Sequence, residues 1–473
     1  MKHMQHWLND THSALNRTRI SRLIEARTVD DVVRAIQRSR AQGTPLAIAG
    51  GRHAMGGQQF LSDGSLLDMR RLNRVRALDE ARGLLQVEAG ITWPDVIRGY
   101  LARPQGKTSA WGIRQKQTGA DRLTIGGAVA ANIHGRCLTA PPFIADIESL
   151  EVVTADAEVV QCSREQRPEL FRHVVGGYGL FGVVTAATIR LSPRRQVERI
   201  VEMLDIDGLV NTLEQRIRMG ALYGDFQFAI DPNSPQFMRT GILSCYHPTG
   251  ECRVIPPRQR RLAQSDWNRL LELAHLDKRR AFEEFAAFYL STSGQIYWSD
   301  THQLNLYLEN YHGALDERLG ASTDGGEMIT EVYVPRSRLA VFMDEIRRDF
   351  LHNSVDLIYG TIRLIEADRE SALPWARDSY ACVIFNLHVD HYPRAILNAK
   401  DTFVRLIDQA IAQGGSYYLT YHRFARPDQL VSCHPAVHTF IETKRRLDPA
   451  GLFQSDWYGH LLAQTSGEGW AAC

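Results

Sequence analysis

The sequence predicts an α+β protein built from more than one domain. A chain of 473 residues is too long for a single hydrophobic core. Up to about residue 193, short apolar strands alternate with short amphipathic helices. After Pro193, long helical and aromatic segments become more frequent. We therefore expect a domain boundary close to Pro193.

The first elements are marked by residues that begin and end helices. Thr28 suits the N-cap of a helix through Asp30 to Ile36, because its hydroxyl accepts a free amide and two acids follow in the first turn. Gly43 suits the end of that helix, and Pro45 to Ala49 is apolar enough for a buried strand. Further expected elements are strands at Ser65–Met69 and Gly83–Ala89, a short helix from Pro94, and a hairpin joining Ser149–Thr154 to Ala157–Val160.

Composition excludes several classes of function. The formal net charge of +1 gives no long-range attraction to nucleic acid or to an anionic membrane. No stretch approaches the roughly 18 apolar residues of a membrane span, and the first ten residues lack the apolar core of a secretory signal. Seven scattered cysteines suit reduced thiols, and no convincing set of metal ligands is visible. We expect a cytoplasmic protein with neither a nucleic-acid partner nor a metal.

The most informative stretch runs from Ala47 to Gln59, where an apolar strand enters two glycine pairs that flank a histidine. Gly50 and Gly51 permit a sharp turn and let the backbone lie directly against a ligand. Free backbone N–H groups in such a turn suit an anion, which predicts a phosphate-bearing cofactor. His53, at the tip of the turn, would point at that ligand. Glycine-flanked histidines also occur in plain surface turns.

A second glycine cluster, Thr124 to Gly135, ends in a His-Gly pair. Its small residues would let a helix turn lie close to a flat or phosphorylated ligand. Tight packing of a helix on a strand also demands Gly and Ala, so both interpretations stay open.

A third cluster, Gly177 to Gly182, matches the G-x-G-x-x-G dinucleotide fingerprint. That fingerprint requires a preceding strand and a following helix, because the helix N-terminus binds the pyrophosphate. Here Glu169–Val175 has helical spacing, and Val183–Leu191 behind the glycines is strand-like. The pattern therefore excludes a Rossmann site and predicts a flat loop that passes close to a ligand.

Three such loops in this order resemble the FAD-binding domain of the vanillyl-alcohol oxidase/p-cresol methylhydroxylase (PCMH) family, most strongly at 17–192 and 415–460. The resemblance implies a PCMH-type FAD-binding domain of two α/β subdomains over 17–193. It also implies a mixed α/β substrate (cap) domain with an antiparallel sheet flanked by helices over 194–415, and a C-terminal segment, 416–473, that returns to the first domain. The residues implicated in FAD binding are Ala49, Gly50, Gly51, Arg52, His53, Ala54, Met55, Gly56, Gly57, Gln58, Thr118, Thr124, Gly126, Gly127, Ala130, Asn132, His134, Gly135, Gly177, Gly179 and Val183.

The first loop resembles members of the family that carry FAD covalently. Gly51 to Ala54 matches their G-x-H-[SA] motif, and the resemblance implies a covalent bond from His53 to the flavin 8α-methyl. A neutral imidazole nitrogen is a suitable nucleophile for that step. In the alternative, His53 hydrogen-bonds phosphate and FAD remains dissociable.

The second loop resembles the sugar-directed branch: alditol oxidases, aldonolactone oxidases and decaprenylphosphoryl-ribose oxidase. This implies an FAD-dependent oxidoreductase that oxidises a CH–OH group of a polyol, aldonolactone or sugar by hydride transfer to flavin N5. Molecular oxygen or another acceptor would take the electrons. The chemistry needs a base for the hydroxyl proton and a positive group where charge develops near flavin N1.

Two later segments supply candidates for these roles. Gly360 to Asp368 resembles the alditol oxidase segment that contributes a Glu and an Arg; Arg363 matches the Arg, whereas Thr361 replaces the Glu. Tyr417 to Arg423 lies where lactone oxidases carry His-Trp-Gly-Lys, and the Lys is absent. The candidate catalytic residues are therefore Arg363, Tyr421 as a proton relay, and His422 or Arg423 as the cation.

Two other functions remain open at this point. The missing Glu and Lys favour a flavoprotein oxidase or reductase for a lipid-linked sugar or a sterol-like substrate, which would need a wide apolar tunnel. A flavin-binding protein without turnover would show bulky side chains over the flavin.

Overall fold

The computed structural model describes residues 6–102, 109–304 and 311–466. The expected lack of a secretory signal concerns residues 1–10, and residues 1–5 of that stretch lie outside the described residues. So do residues 103–108, 305–310 and 467–473 of the three predicted domain ranges.

The strands are numbered in chain order. They are β1 His6–Leu8, β2 Thr18–Ile20, β3 Arg22–Glu25, β4 Leu46–Ala49, β5 Ser65–Asp68, β6 Val75–Asp79, β7 Leu84–Glu88, β8 Trp111–Gly112, β9 Ile147–Val153, β10 Val159–Ser163, β11 Val183–Arg190, β12 Ser192–Pro193, β13 Gln196–Asp205, β14 Tyr223–Phe228, β15 Thr240–Pro248, β16 Ile296–Trp298, β17 Gly325–Pro335, β18 Leu357–Ile365, β19 Tyr380–Asp390 and β20 Ser416–Tyr417.

The α-helices are numbered in the same way. They are α1 Val29–Gln42, α2 Trp93–Leu101, α3 Ile125–Ala131, α4 Pro168–Val174, α5 Ile206–Arg218, α6 Gln264–Leu276, α7 Lys278–Leu290, α8 Tyr311–Leu319, α9 Leu339–His352, α10 Pro393–Ala412, α11 Pro427–Cys433, α12 Val437–Leu447 and α13 Asp456–Thr465.

The first α/β unit forms as its capping residues predict. The Thr28 hydroxyl accepts the amide of Asp31, and the Asp31 side chain returns the bond to the Thr28 amide, which closes a capping box on α1. Gly43 ends the helix in the left-handed region, with φ of 60°. Strands β3, β5 and β4 form a parallel sheet in that order. The expected helix and strand are confirmed.

A second sheet carries the rest of the first half. Its order is β10-β9-β11-β7-β6, with every neighbouring pair antiparallel. The expected hairpin is present, since Val153 pairs with Val159. Helix α4 precedes the third glycine loop and β11 follows it, as the sequence predicts.

The second half is built on an eight-stranded sheet of order β16-β13-β15-β14-β18-β19-β17-β20. All of its pairs are antiparallel. Helices α5, α9 and α10 and helices α6 and α7 pack against it. Because side chains alternate along a strand, the residues of β14, β17, β18 and β19 that line the cavity described below lie two positions apart. The fold is α+β, as expected.

The C-terminal segment contacts both halves of the protein. Strand β20 extends the large sheet, since Tyr417 pairs with Val332. Further on, the amide of Leu46 in β4 donates to the carbonyl of Leu452 over 2.8 Å. Phe453 forms an isolated parallel β-bridge with Leu46. Within the described ranges, no helix combines the length and the apolar character that a membrane crossing requires.

We expect Asp448 to be essential for docking this segment. Its buried carboxylate pairs with buried Lys444 and accepts the amides of Leu452 and Phe453 over 2.9 and 2.8 Å. The D448A variant should lower the free energy of unfolding by about 3–5 kcal/mol, because a buried ammonium loses its partner. Chemical denaturation measures this. The matched variant D428N, at an exposed ion pair, should cost less than about 1 kcal/mol, and equal losses would contradict the assignment.

Candidate active site

A cavity of about 480 Å³ lies between the glycine loops and the large sheet. One wall comes from the loop after β4, the segment entering α3 and the loop between α4 and β11. The opposite wall comes from β14, β17, β18 and β19, and side chains of α6, α7 and the start of α8 also line the cavity. The tertiary structure therefore brings three distant loops to one ligand-sized space.

Most of the residues implicated in cofactor binding line this cavity. They are Ala49, Gly50, Gly51, Arg52, His53, Ala54, Met55, Gln58, Thr118, Thr124, Gly126, Gly127, Ala130, His134 and Gly179. Of the candidate catalytic residues, Arg363 and Tyr421 line it as well.

Three implicated glycines instead allow close backbone packing away from the cavity. A Cβ on Gly56 would lie 2.4 Å from the carbonyl oxygen of Tyr421. A Cβ on Gly135 would lie 2.4 Å from the carbonyl oxygen of Lys116. A Cβ on Gly177 would lie 1.9 Å from the carbonyl oxygen of His173. At Gly56 and Gly135 a distant main chain passes with no room for a side chain, and at Gly177 the turn after α4 lies against the end of that helix.

Three further implicated residues also lie off the cavity. Gly57 occupies a turn with φ of 75°. Asn132 ends α3 and is bound within the protein, because its Nδ2 donates to Asp368 over 2.8 Å and its Oδ1 accepts the amide of Ile144 over 2.9 Å. Val183 is fully buried, and its neighbour Val184 lines the cavity.

The structure also places His422 and Arg423 away from the cavity. Both line a separate small crevice near α13, on the far side of the turn that holds Tyr421. Burial lowers the pKa of His422 to about 4 despite the nearby carboxylate of Asp10. The Nη1 of Arg423 donates to the carbonyl of Asp456 over 3.0 Å. Successive side chains in the turn point in different directions, so Tyr421 lines the cavity and the next two residues do not.

The loop geometry fits FAD. A Cβ on Gly50 would lie 2.1 Å from the Thr124 hydroxyl oxygen, so the bare backbone of the first loop packs against this side chain of the second. Arg52 and Gly179 take left-handed turns with φ of 61° and 79°. The Arg52 guanidinium fixes its loop by donating to buried Asp68 over 3.0 Å. Exposed backbone amides at such turns suit a diphosphate, and the narrow space suits a flat ring.

One hydroxyl on this wall also lacks a partner in the described protein. Thr118 lines the cavity, and its buried Oγ1 has no hydrogen bond. A buried hydroxyl of this kind calls for a ligand group. The bound cofactor would supply the hydrogen-bond partner of the Thr118 hydroxyl.

His53 lies at the cavity edge under the N-terminal segment. Its Nδ1 is 3.0 Å from His12 Nε2 and 3.1 Å from the Thr11 hydroxyl. Burial and the nearby His12 lower the pKa of His53 to about 3, so the ring is neutral at physiological pH. No local sequence pattern places His12 or Thr11 beside His53, because the contact depends on how residues 6–18 fold back.

Glu331 of β17 is the centre of a hydrogen-bonded cluster between the two walls. Its carboxylate faces His134 Nε2 at 2.7 Å, accepts the Tyr421 hydroxyl over 3.1 Å, and accepts the Tyr333 hydroxyl. Burial acts to raise the pKa of Glu331, but His134, Tyr333 and Arg363 outweigh it, so the pKa is lowered and the group is ionised. Burial and this charge raise the pKa of Tyr421 well above its usual range.

Cys382 is close to the same cluster. Ligand atoms of His134, Glu331 and Cys382 lie within 4.8 Å of one another, a spacing compatible with a metal ion. Glu331 already has three hydrogen-bonding neighbours, and burial raises the pKa of the Cys382 thiol well above its usual range. Hydrogen bonding therefore accounts for the cluster.

A second polar group lies on β14 and β18. Asp225 faces buried Arg136, with 3.7 Å between Oδ1 and Nη1, and accepts Gln227 Nε2 over 3.4 Å through Oδ2. In the described structure the Oδ1 of Asp225, the Oε1 of Gln227 and the hydroxyl of Thr361 have no hydrogen-bond partner. Unmet polar atoms facing a cavity indicate a polar ligand.

Sequence reasoning missed the acidic wall on β17. Glu327, Ile329 and Glu331 recur at every second position and all line the cavity. This alternation was a readable signal for one strand face. The sequence does not reveal that this face of β17 lies opposite the glycine loops, because that placement depends on long-range strand pairing.

Comparison with known proteins supports the cofactor assignment. Residues 20–163 match the family described as FAD binding domain. An uncharacterized oxidoreductase of the fasciation locus of Rhodococcoides fascians is 34% identical over 177 residues, which cover 37% of this chain and 39% of that protein. Cytokinin dehydrogenase 2 of Oryza sativa subsp. japonica is 32% identical over 195 residues, covering 39% and 33% of the two chains.

A longer match extends beyond the first domain. Cytokinin dehydrogenase 3 of Arabidopsis thaliana is 24% identical over 421 residues, covering 86% of this chain and 78% of that protein. The two matches above span only about a third to two-fifths of the relatives' own length. Two of these three relatives are named for cytokinins, and the expected sugar branch gains no support from them.

The family match covers the first two glycine loops, and the structure brings the third loop to the same cavity. The chain therefore contains a PCMH-type FAD-binding domain, and FAD is its cofactor.

Proposed function

We propose that this chain is an FAD-dependent oxidoreductase that takes a hydride from a carbon bearing a hydroxyl or amino group of a small molecule. The observation that supports this most strongly is the cavity, with the FAD loops on one wall and a polar sheet face opposite. When bound, FAD accepts the hydride at N5 and passes the electrons to oxygen or another acceptor.

The shape and chemistry of the cavity favour a planar substrate. Trp267 and Leu271 of α6, Phe285 and Tyr289 of α7, and Tyr359 of β18 all line it. Aromatic side chains favour flat, partly apolar ligands over a flexible polyol. The cytokinin dehydrogenase names of two relatives support the same choice. The same cavity must also hold the cofactor, so the remaining room disfavours a sterol or a lipid-linked sugar.

A carbohydrate remains the second candidate. Gln227, Thr361 and Asn386 each present a buried polar atom without a partner in the described structure. All three line the cavity. Hydroxyl groups of a polyol, aldonolactone or sugar would satisfy them, because a hydroxyl both donates and accepts.

Tyr421 is the proposed proton relay. Its hydroxyl already donates to Glu331, and the residue lines the cavity. As the substrate loses its hydride, the substrate proton moves to the Tyr421 oxygen and the phenolic proton moves to Glu331. His134 then stabilises the cluster from the FAD side.

His53 is the proposed point of covalent attachment. Its ring is neutral and lies on the cavity wall beside the first loop. In the alternative arrangement it hydrogen-bonds the cofactor without a covalent bond. His12 contacts its Nδ1 and orients the ring.

Anaerobic reduction of the bound flavin tests the substrate class. The purified yellow protein should bleach with a planar aromatic amine or alcohol, and more slowly or not at all with polyols and aldonolactones. Absorbance near the flavin maximum follows the reaction. Bleaching only by polyols or aldonolactones would favour the carbohydrate candidate, and no bleaching by either group would contradict the oxidoreductase.

Substitution of the relay should slow turnover. Y421F should lower kcat about 100- to 10,000-fold with unchanged flavin content, because the proton loses its path. In the native protein the pKa of Glu331 is below its ordinary value of 4.5, so this carboxylate stays ionised from neutral pH down to that range. We expect kcat to stay constant there and to fall only at more acidic pH. Stopped-flow flavin reduction across pH provides the measurement.

The matched variant D225N separates the relay from a rival base. Asp225 is a cavity carboxylate with an oxygen that has no hydrogen-bond donor in the described structure. A larger loss in D225N than in Y421F would assign the proton to Asp225 and overturn the relay.

Mass spectrometry tests the covalent bond. A proteolytic peptide that contains His53 should carry the added mass of FAD, and H53A should release its flavin on acid precipitation. H12A should lower the fraction attached, because the His53 ring loses the group that orients it. An unmodified peptide from yellow protein would establish the dissociable alternative.

A further inference from the structure

Arg363 is a buried charge without a counter-ion in contact. Its side chain lies on the cavity face of β18 and the residue is only 7% exposed. Its Nε has no hydrogen-bond partner, and no carboxylate of the described residues lies within ion-pair distance of the guanidinium. Burying an unpaired charge costs several kcal/mol, so a ligand group is expected to complete it.

The other two arginines that line the cavity, Arg52 and Arg136, already have anionic partners. Arg52 is bound to Asp68 at 3.0 Å, and Arg136 faces Asp225 at 3.7 Å. Of the arginines that line the cavity, Arg363 is therefore the one without a carboxylate in ion-pair contact among the described residues.

The remaining carboxylate of the wall does not neutralise it. Glu327 lies four residues from Glu331 along β17, which is about 13 Å on an extended strand. Its oxygens accept the Tyr311 hydroxyl and the Asn386 amide, and His275 Nε2 lies at 3.6 Å. Glu327 is therefore engaged elsewhere.

Thr361 supplies a second donor beside Arg363. The two residues are two positions apart on β18, so their side chains share one face, and both line the cavity. The buried Thr361 hydroxyl has no partner in the described structure. One guanidinium and one hydroxyl match the two oxygens of a carboxylate.

We propose that Arg363 and Thr361 bind a carboxylate of the substrate, so that the substrate is a small monoanion with a planar or apolar body. This rests on the proposed function and narrows its substrate class. The single unpaired charge favours a carboxylate over a dianionic phosphate. The aromatic side chains of α6 and α7 would contact the uncharged body.

Titration of the flavin-loaded protein with benzoate and its neutral analogue benzamide tests the charge preference. Perturbation of the flavin absorbance reports binding without turnover. Benzoate should bind at least about 10-fold more tightly than benzamide. R363M should weaken benzoate about 10- to 100-fold and leave benzamide nearly unchanged. T361V should weaken benzoate less than R363M does.

The matched control is R336M. Arg336 pairs with Glu366 outside the cavity, so this variant removes the same charge and should keep the preference for benzoate. Equal affinities for the two probes in the native protein would overturn the proposal. A second result would also overturn the proposal. If both R363M and R363K lose flavin or show an altered flavin absorbance before any probe is added, Arg363 holds the cofactor and not the substrate.

The two hypotheses fail in different ways. If R363M loses flavin but R363K keeps both flavin and the preference for benzoate, the proposal stands. Absence of turnover with every substrate would contradict the oxidoreductase and leave the titration result intact. Turnover of neutral substrates without any preference for benzoate would contradict only the carboxylate site.

Discussion

The buried carboxylate of Glu331 holds the site together. It belongs to β17 of the large sheet, yet it bonds His134 behind α3 and Tyr421 in the C-terminal segment. A buried charge is stable only when its partners are in place, so this cluster fixes how the FAD wall and the sheet wall face each other. The cavity, its polar face and the position of Tyr421 all depend on that contact.

The glycine loops serve two physical purposes that look alike in a sequence. Gly50 and Gly179 leave main chain bare beside the cavity. Gly56 and Gly135 instead allow two segments of main chain to pass within a distance that any Cβ would block. Gly126 combines both, since it lines the cavity and its amide donates to Ala89 over 2.6 Å. Glycine content alone therefore overstates the size of a ligand contact.

Local chemistry explains which features were predictable. The capping box of Thr28, the left-handed Gly43 and the helix-to-strand order around the third loop depend on neighbours within a few residues. The same holds for the strand that enters Gly50. These signals predicted the first domain and its cofactor, because a backbone turn that binds phosphate is specified locally.

Features that join distant segments were decided by the tertiary structure alone. The sequence by itself determined a flavin-binding α/β half, the candidate His53, and the match of Arg363 to a sheet position. Only the folded chain decided that His422 and Arg423 point away, that His12 reaches His53, and that Glu331 and Asp225 face the loops. Strand register and the direction of a side chain in a turn depend on long-range packing, which a local pattern does not encode.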